Sequence, residues 1–208
     1  MCHARRVGYK AVFLDLGKVL IYFDFARGYR AMEGLCPYAA AEIPRRLAGT
    51  DLVERFETGL IEPRDFVAEL SAILALKMDY PQFCGAWNAI FTEPLIPECM
   101  LAGLAARYRL LLVSNTNAIH FEGIRAKYPL LRHFHALVLS YQVKAMKPRP
   151  EIFRAAVQAA GCRAEECFYT DDIAENVEGA RRLGIDAVRF ESRAQLEKEM
   201  AERGIRWR

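Results

Sequence analysis

The chain has 208 residues, 53% hydrophobic and 26% charged, with a formal net charge of +3. That balance excludes a disordered chain, and the length suits one large domain, or a domain carrying an insertion, with a proper buried core. The charge is too small to imply nucleic-acid binding by itself.

The N-terminal MCHARRVGYK is basic, but only a few apolar residues follow before Asp15. It lacks the form of a signal peptide, and no run approaches membrane-spanning length. AVFLD (11–15) is the first of five short apolar runs. The others are RLLLVS (109–114), HALVLS (135–140), ECFYTD (166–171) and DAVRF (186–190). Little polar alternation interrupts them, which predicts strands covered on both faces, as in a parallel sheet.

The gap after the first run is too long for one crossover. Roughly residues 23–93 are predicted wholly helical, as an inserted cap between core segments 1–22 and 94–208. Its clearest element is 65–77, with Pro63 near the start and Phe66, Val67, Leu70, Ile73 and Leu74 at helical spacing. EPLIPE (93–98) returns the chain to the core. Further on, 150–160 carries Ile152, Phe153, Ala156, Val157 and Ala160 on one face before Gly161, and 176–183 ends similarly at Gly184. Strands alternating with helices predict an α/β fold, a doubly wound parallel sheet with right-handed crossovers. The closing RGIRWR is expected to be a solvated basic tail.

Cysteines stand at 2, 36, 84, 99, 162 and 167, with no Cys-x-x-Cys pair. They are expected to be reduced packing residues of a cytoplasmic protein rather than zinc ligands.

The polar residues that carry chemistry fall at strand ends. Asp15 closes the first run, Ser114 the second, followed by Asn115, and Asp171-Asp172 the fourth; Lys147 precedes the helix after the third. In open α/β sheets, ligands bind beyond the carboxyl ends of the strands. One rim therefore receives carboxylates, a hydroxyl and an ammonium. Clustered carboxylates call for a cation, and all-oxygen ligands suit Mg²⁺. Lysine and serine can hold phosphate oxygens, and a carboxylate can serve as nucleophile. Each feature alone has a plainer explanation: a strand-end turn, a helix cap, a loop lysine. Their coincidence on one rim points to phosphoryl transfer.

Strand-Asp15, Ser114, Lys147-Pro148 and Asp171-Asp172 with Asn176, in that order, resemble the four motifs of the haloacid dehalogenase-like hydrolase superfamily. DLGKVL, LVSNTN, KPRPEIF and TDDIAENVEGARRLGI further resemble its bacterial α-D-glucose-1-phosphate phosphatase branch. The resemblance implies a Rossmann-like core with a helical cap. It implies a Mg²⁺-dependent phosphatase acting on a small phosphate ester, a sugar phosphate above all, through an aspartyl-phosphate. Asp15 would be nucleophile and metal ligand, Gly17 would offer its carbonyl to the metal, and Asp172 would be the main metal-binding acid. Ser114, Asn115 and Lys147 would bind phosphate. Asp171 would orient Lys147 or a metal-bound water, and Asn176 would support the metal from behind. No nucleic-acid or membrane partner is expected, and the chain would be a monomer or homodimer.

Gly17 departs from the family pattern, which usually places a proton-donating aspartate there. Without it, esters with good leaving groups, such as anomeric 1-phosphates and aryl phosphates, are expected to react in preference to primary alkyl phosphates. Lys18 also departs from the branch and is a candidate phosphate contact, as are Asp24, Arg27, Glu57 and Arg64 for the rest of the substrate. His120, His133 and His135 are expected to be exposed or half-buried, and Phe83, Trp87 and Phe91 on one helical face toward the core. Two rivals remain. A 2-haloacid dehalogenase would use the same aspartate without metal, and a metabolite-binding protein would keep the fold without efficient turnover.

Overall fold

A computed structural model of the chain describes residues 8–208. Cys2 and most of the basic N-terminal MCHARRVGYK lie outside the described residues. In chain order the strands are β1 (Ala11–Leu14), β2 (Ile21–Phe23), β3 (Phe91–Pro94), β4 (Arg109–Ser114), β5 (Ala136–Leu139), β6 (Cys167–Asp171) and β7 (Asp186–Arg189). The helices before β3 are α1 (Phe25–Met32), α2 (Ile43–Ala48), α3 (Leu52–Glu57), α4 (Pro63–Leu74) and α5 (Tyr80–Asn88). After it come α6 (Glu98–Ala105), α7 (Ala118–Lys127), α8 (Ser140–Val143), α9 (Pro150–Ala160), α10 (Ala174–Arg181) and α11 (Arg193–Glu202).

Five strands form one parallel sheet in the order β5-β4-β1-β6-β7. The five apolar runs are these strands. Ala11 and Phe13 pack with Leu111, Val113 and the Ile152, Phe153 and Ala156 face of α9. Val12 and Leu14 pack on the other side with Leu110, Leu112, Leu101 of α6 and Leu196 of α11. Both faces are covered, so no polar alternation survives; each buried aliphatic side chain contributes about 1.5–3 kcal/mol. Gly161 closes α9 in the left-handed conformation (φ +67°), where a Cβ would be strained.

Helices α1–α5 enclose a separate core of Met32, Phe56, Phe66, Leu70, Leu74 and Phe83. The rings of Phe56 and Phe66 stack with centroids 4.0 Å apart. The predicted helix 65–77 runs from Pro63 to Leu74, because Ala75 turns left-handed (φ +49°) and ends it.

Two expectations are corrected here. The stretch 23–93 is not wholly helical: β2 and β3 pair antiparallel, Phe23 opposite Phe91 and Ile21 opposite Pro94, forming a ribbon beneath the inserted helices. Phe91 therefore stands on a strand, not on the helical face of Phe83 and Trp87; both phenylalanines are buried, while Trp87 is half-buried. Nor is RGIRWR a solvated tail. Ile205 is buried and Trp207 packs on the main core, with its backbone so close to α6 that only glycine fits at 103.

Among the described residues Cys36, Cys84, Cys99, Cys162 and Cys167 are free thiols. Cys99 is exposed rather than packed. No helix of the described residues is long and apolar enough to cross a membrane.

Candidate active site

Leu14 is in register with Leu112 on β4 and Thr170 on β6. Asp15, Ser114 and Asp171 consequently reach the same sheet edge, where strand order reverses about β1. Lys147 enters from the loop between α8 and α9. Its Nζ donates to Asp15 Oδ1 (2.6 Å), to Asp171 Oδ2 (2.7 Å) and to the Val113 carbonyl (3.1 Å). All three ionisable groups are buried.

The side chain of Asn115 fixes the lysine. Its Nδ2 donates to the Lys147 carbonyl (3.0 Å), and its Oδ1 accepts from the Lys147 N–H (2.7 Å). Ser114 is buried beside it, and Asn117, not Ser114, caps α7 by accepting from the His120 N–H (3.0 Å).

Asp171 is saturated with donors. It accepts from Lys147, the Tyr169 hydroxyl, the Ile173 N–H and Asn176 Nδ2. Burial pushes its carboxyl up, but the Lys147 charge and these hydrogen bonds outweigh burial and hold it below the ordinary range. The Asp15 carboxyl is pushed up to about 7 by burial; Lys147 opposes the shift and the Asp171 charge adds to it. For Lys147 the two carboxylates overcome burial and raise it. Asp172 is half-buried and raised by burial and by its neighbour's charge. Its carboxyl makes no hydrogen bond with another side chain among the described residues.

Asp15, Asp171 and Asp172 each offer a carboxylate oxygen within 4.8 Å of the others. This all-oxygen donor set fits a hard divalent cation such as Mg²⁺. Asp171 has both oxygens engaged, Asp15 makes one side-chain hydrogen bond, to Lys147, and Asp172 makes none, so Asp15 and Asp172 have the most capacity left for a cation.

Position 17 has no room for a side chain unless the half-buried Phe23 ring moves. A Cβ on Gly17 would lie 2.5 Å from Cε1 of Phe23, whose ring fills the space. Gly17→Ala should therefore destabilise the protein by about 1–3 kcal/mol. Phe23→Ala in the same chain should recover part of that loss, a coupling readable from a double-mutant cycle of melting temperatures. Additive losses would mean that the ring does not hold the site at 17.

The other candidates divide. Lys18 is exposed, with its ammonium 5.2 Å from the Phe23 ring centroid. Asp24 caps α1, Arg27 binds the Ala89 carbonyl, and Arg64 lies over the Tyr80 ring. Glu57 alone of these five lines a cavity of about 300 Å³ among the inserted helices, together with Trp87 and His120. His120 is buried, contrary to expectation, because its ring stacks on Trp87 and binds the Trp87 carbonyl (3.1 Å). Burial pushes it down to about 3, so it is neutral. His133 is half-buried and His135 exposed.

Sequence reasoning missed Tyr169, Ser140 and Phe23. Tyr169 precedes Asp171 by two on one strand, so period-2 geometry places both on one face and could have found it. Ser140 and Phe23 act through contacts distant in sequence and carry no local signal.

A family model described as a haloacid dehalogenase-like hydrolase matches residues 9–184. D-ribitol-5-phosphate phosphatase of Bacteroides thetaiotaomicron is 25% identical over 201 residues, covering 92% of this chain and 96% of that relative. The HAD family enzyme bt-2542 of the same species, in its magnesium complex, superposes with a TM-score of 0.81 at 30% identity, covering 92% of this chain and 99% of that one. Its complex with magnesium and inorganic phosphate gives 0.80 at 29% identity, covering 89% and 96%. From strand-end aspartate to C-terminal sheet edge, the chain belongs to the haloacid dehalogenase-like hydrolase family.

Proposed function

We propose that the protein is a Mg²⁺-dependent phosphatase of a small phosphorylated metabolite, a sugar or sugar-alcohol phosphate, working through an aspartyl-phosphate on Asp15. The observation that carries this is the buried Lys147 bridging Asp15 and Asp171 beside Ser114, with the Asp172 carboxyl left open. The ribitol-phosphate phosphatase relative and the magnesium and phosphate complexes of the bt-2542 enzyme support the same chemistry.

Asp15 attacks phosphorus in line with the ester oxygen. Lys147 and the Ser114 hydroxyl bind the equatorial phosphate oxygens, with Asn115 fixing the lysine and offering its own N–H. Asp171 holds Lys147 charged and aimed, and Asn176 holds Asp171. Asp15, Asp172 and the carbonyl of Gly17 would hold Mg²⁺, which when bound neutralises charge on the carboxylates and the phosphate. The helices of 25–88 would cover the substrate and exclude water. On the composition of position 17 alone, anomeric 1-phosphates are the esters that ask least of the site.

A panel of phosphate esters assayed with Mg²⁺, then with EDTA, tests the function. Turnover should fall to background on chelation and return with Mg²⁺. Metal-independent hydrolysis, or release of chloride from chloroacetate, would overturn it.

A further inference from the structure

Gly17 removes the usual proton donor, and Phe23 fills the space that donor would need. A phosphatase acting on alkyl esters must then protonate the leaving oxygen from elsewhere. We infer that Glu57, at the C-terminal end of α3, is that acid, and the base that later activates water; this rests on the phosphatase function proposed above.

The placement is the first ground. Residues 57–59 are seated on the catalytic rim. The fully buried Ser140 hydroxyl donates to the Glu57 carbonyl (2.6 Å) and accepts from the Thr116 N–H (2.9 Å), two residues past Ser114. Lys144 Nζ binds the Gly59 carbonyl. Gly59 is left-handed (φ +63°), and a Cβ there would meet the Tyr141 carbonyl at 2.1 Å, so the backbones approach as only glycine allows.

The surroundings are the second. Glu57 is the only carboxylate among the described residues lining the 300 Å³ cavity, whose walls are otherwise formed by side chains such as Phe25, Tyr29, Leu47, Val53 and Trp87. Asp15, Ser114 and Lys147 do not line this cavity, and Glu57, tied through Ser140 to their rim, is the link between the two; the volume suits the alcohol portion of a small ester, and Trp87 contributes a buried indole N–H without a partner. The Glu57 carboxyl makes no hydrogen bond or ion pair with another described residue. It is therefore free to address a ligand.

Protonation agrees. Burial pushes the Glu57 carboxyl up to about 7, against the attraction of Lys147. The titratable and charged groups on the elements around it are Tyr29 of α1, His120 of α7, Tyr141 of α8, Lys144 and Lys147 of the loop after α8, and Arg55 paired with Glu69 across α3 and α4. Burial keeps Tyr29 and His120 neutral. An acid that titrates near neutrality can give a proton and take it back.

The chemistry balances. Asp15 forms a bond to phosphorus, the P–O ester bond breaks with its electron pair going to oxygen, and the Glu57 proton joins that oxygen to release the alcohol. Water then attacks phosphorus, Glu57 takes its proton, and the Asp15–phosphorus bond breaks to return the carboxylate and inorganic phosphate.

The test compares the natural chain with Glu57→Gln on ribitol 5-phosphate and p-nitrophenyl phosphate, in Mg²⁺, from pH 5.5 to 9. Glu57→Gln should lose about 10²–10⁴-fold in kcat/KM on the alkyl ester and less than about threefold on the nitrophenyl ester, whose oxygen leaves without a proton. The fall in alkyl-ester activity above about pH 7 should vanish in the variant. The preference for anomeric and aryl esters expected from Gly17 alone then belongs to the variant, not to the natural chain. Equal losses on both esters, or a change confined to KM, would overturn the role of Glu57 and leave the phosphatase function standing. A natural chain that hydrolyses no ester of the wider phosphate-ester panel overturns both. Should Glu57→Gln fail to fold, log kcat/KM of the natural chain against leaving-group pKa decides: a flat plot supports the assignment and a steep one overturns it.

Discussion

Asp15→Asn should abolish turnover, by about 10⁴-fold or more, while leaving the fold intact. The amide is nearly isosteric with the carboxylate but cannot form the acyl-phosphate. Stability should not fall with it. Lys147 keeps Asp171 and the Val113 carbonyl as partners. Asp15 ionises in a buried site that raises its pKa to about 7. A carboxyl raised in the folded state is most stabilising below its unfolded pKa and loses that contribution as pH climbs through the folded one. Without metal at pH 8, the neutral amide should therefore melt at or above the temperature of the natural chain. Residual activity in a pure, folded variant, or a lower melting temperature under these conditions, would count against this description of the site.

Asp171→Ala and Asp172→Ala should fail in different ways. Removing Asp171 strips the Tyr169 hydroxyl and the Asn176 amide of a shared acceptor and leaves buried Lys147 with a single carboxylate. Breaking such a buried pair costs about 3–5 kcal/mol, so the metal-free protein should melt far lower. Removing Asp172 breaks no side-chain hydrogen bond. Metal-free stability should change by less than about 1 kcal/mol, while Mg²⁺ affinity should fall by about tenfold or more. Melting curves in EDTA and calorimetric Mg²⁺ titrations separate the two. A large metal-free loss in Asp172→Ala, with Asp171→Ala stable and weak for Mg²⁺, would exchange their roles.

The legibility of the chain follows the range of the forces involved. The sheet strands are readable because burial on both faces leaves unbroken apolar runs, and α9 because its apolar face and Gly161 are local. The β2–β3 ribbon is not readable. IYF and FTEP are short, and the second carries Glu93 and Pro94, while Phe91 falls four residues after Trp87 and imitates a helix. The arginines of RGIRWR likewise mask Ile205 and Trp207, which dock only because α6 offers Gly103. At the site, strand ends expose Asp15, Ser114 and Asp171 to inference from sequence. Glu57 looks like any acid on a solvated helix face. Its position depends on a hydrogen bond to Ser140, 83 residues away, and no local pattern encodes that contact.

The central claim is a phosphoryl group carried by Asp15. Rapid acid quench of the protein turning over a ³²P-labelled ester, followed by peptide mapping, tests it most directly. The account predicts label on the peptide containing Asp15, labile to hydroxylamine as an acyl phosphate is, and absent from Asp15→Asn. Turnover with no label at Asp15, or label retained in the Asp15→Asn protein, would contradict it.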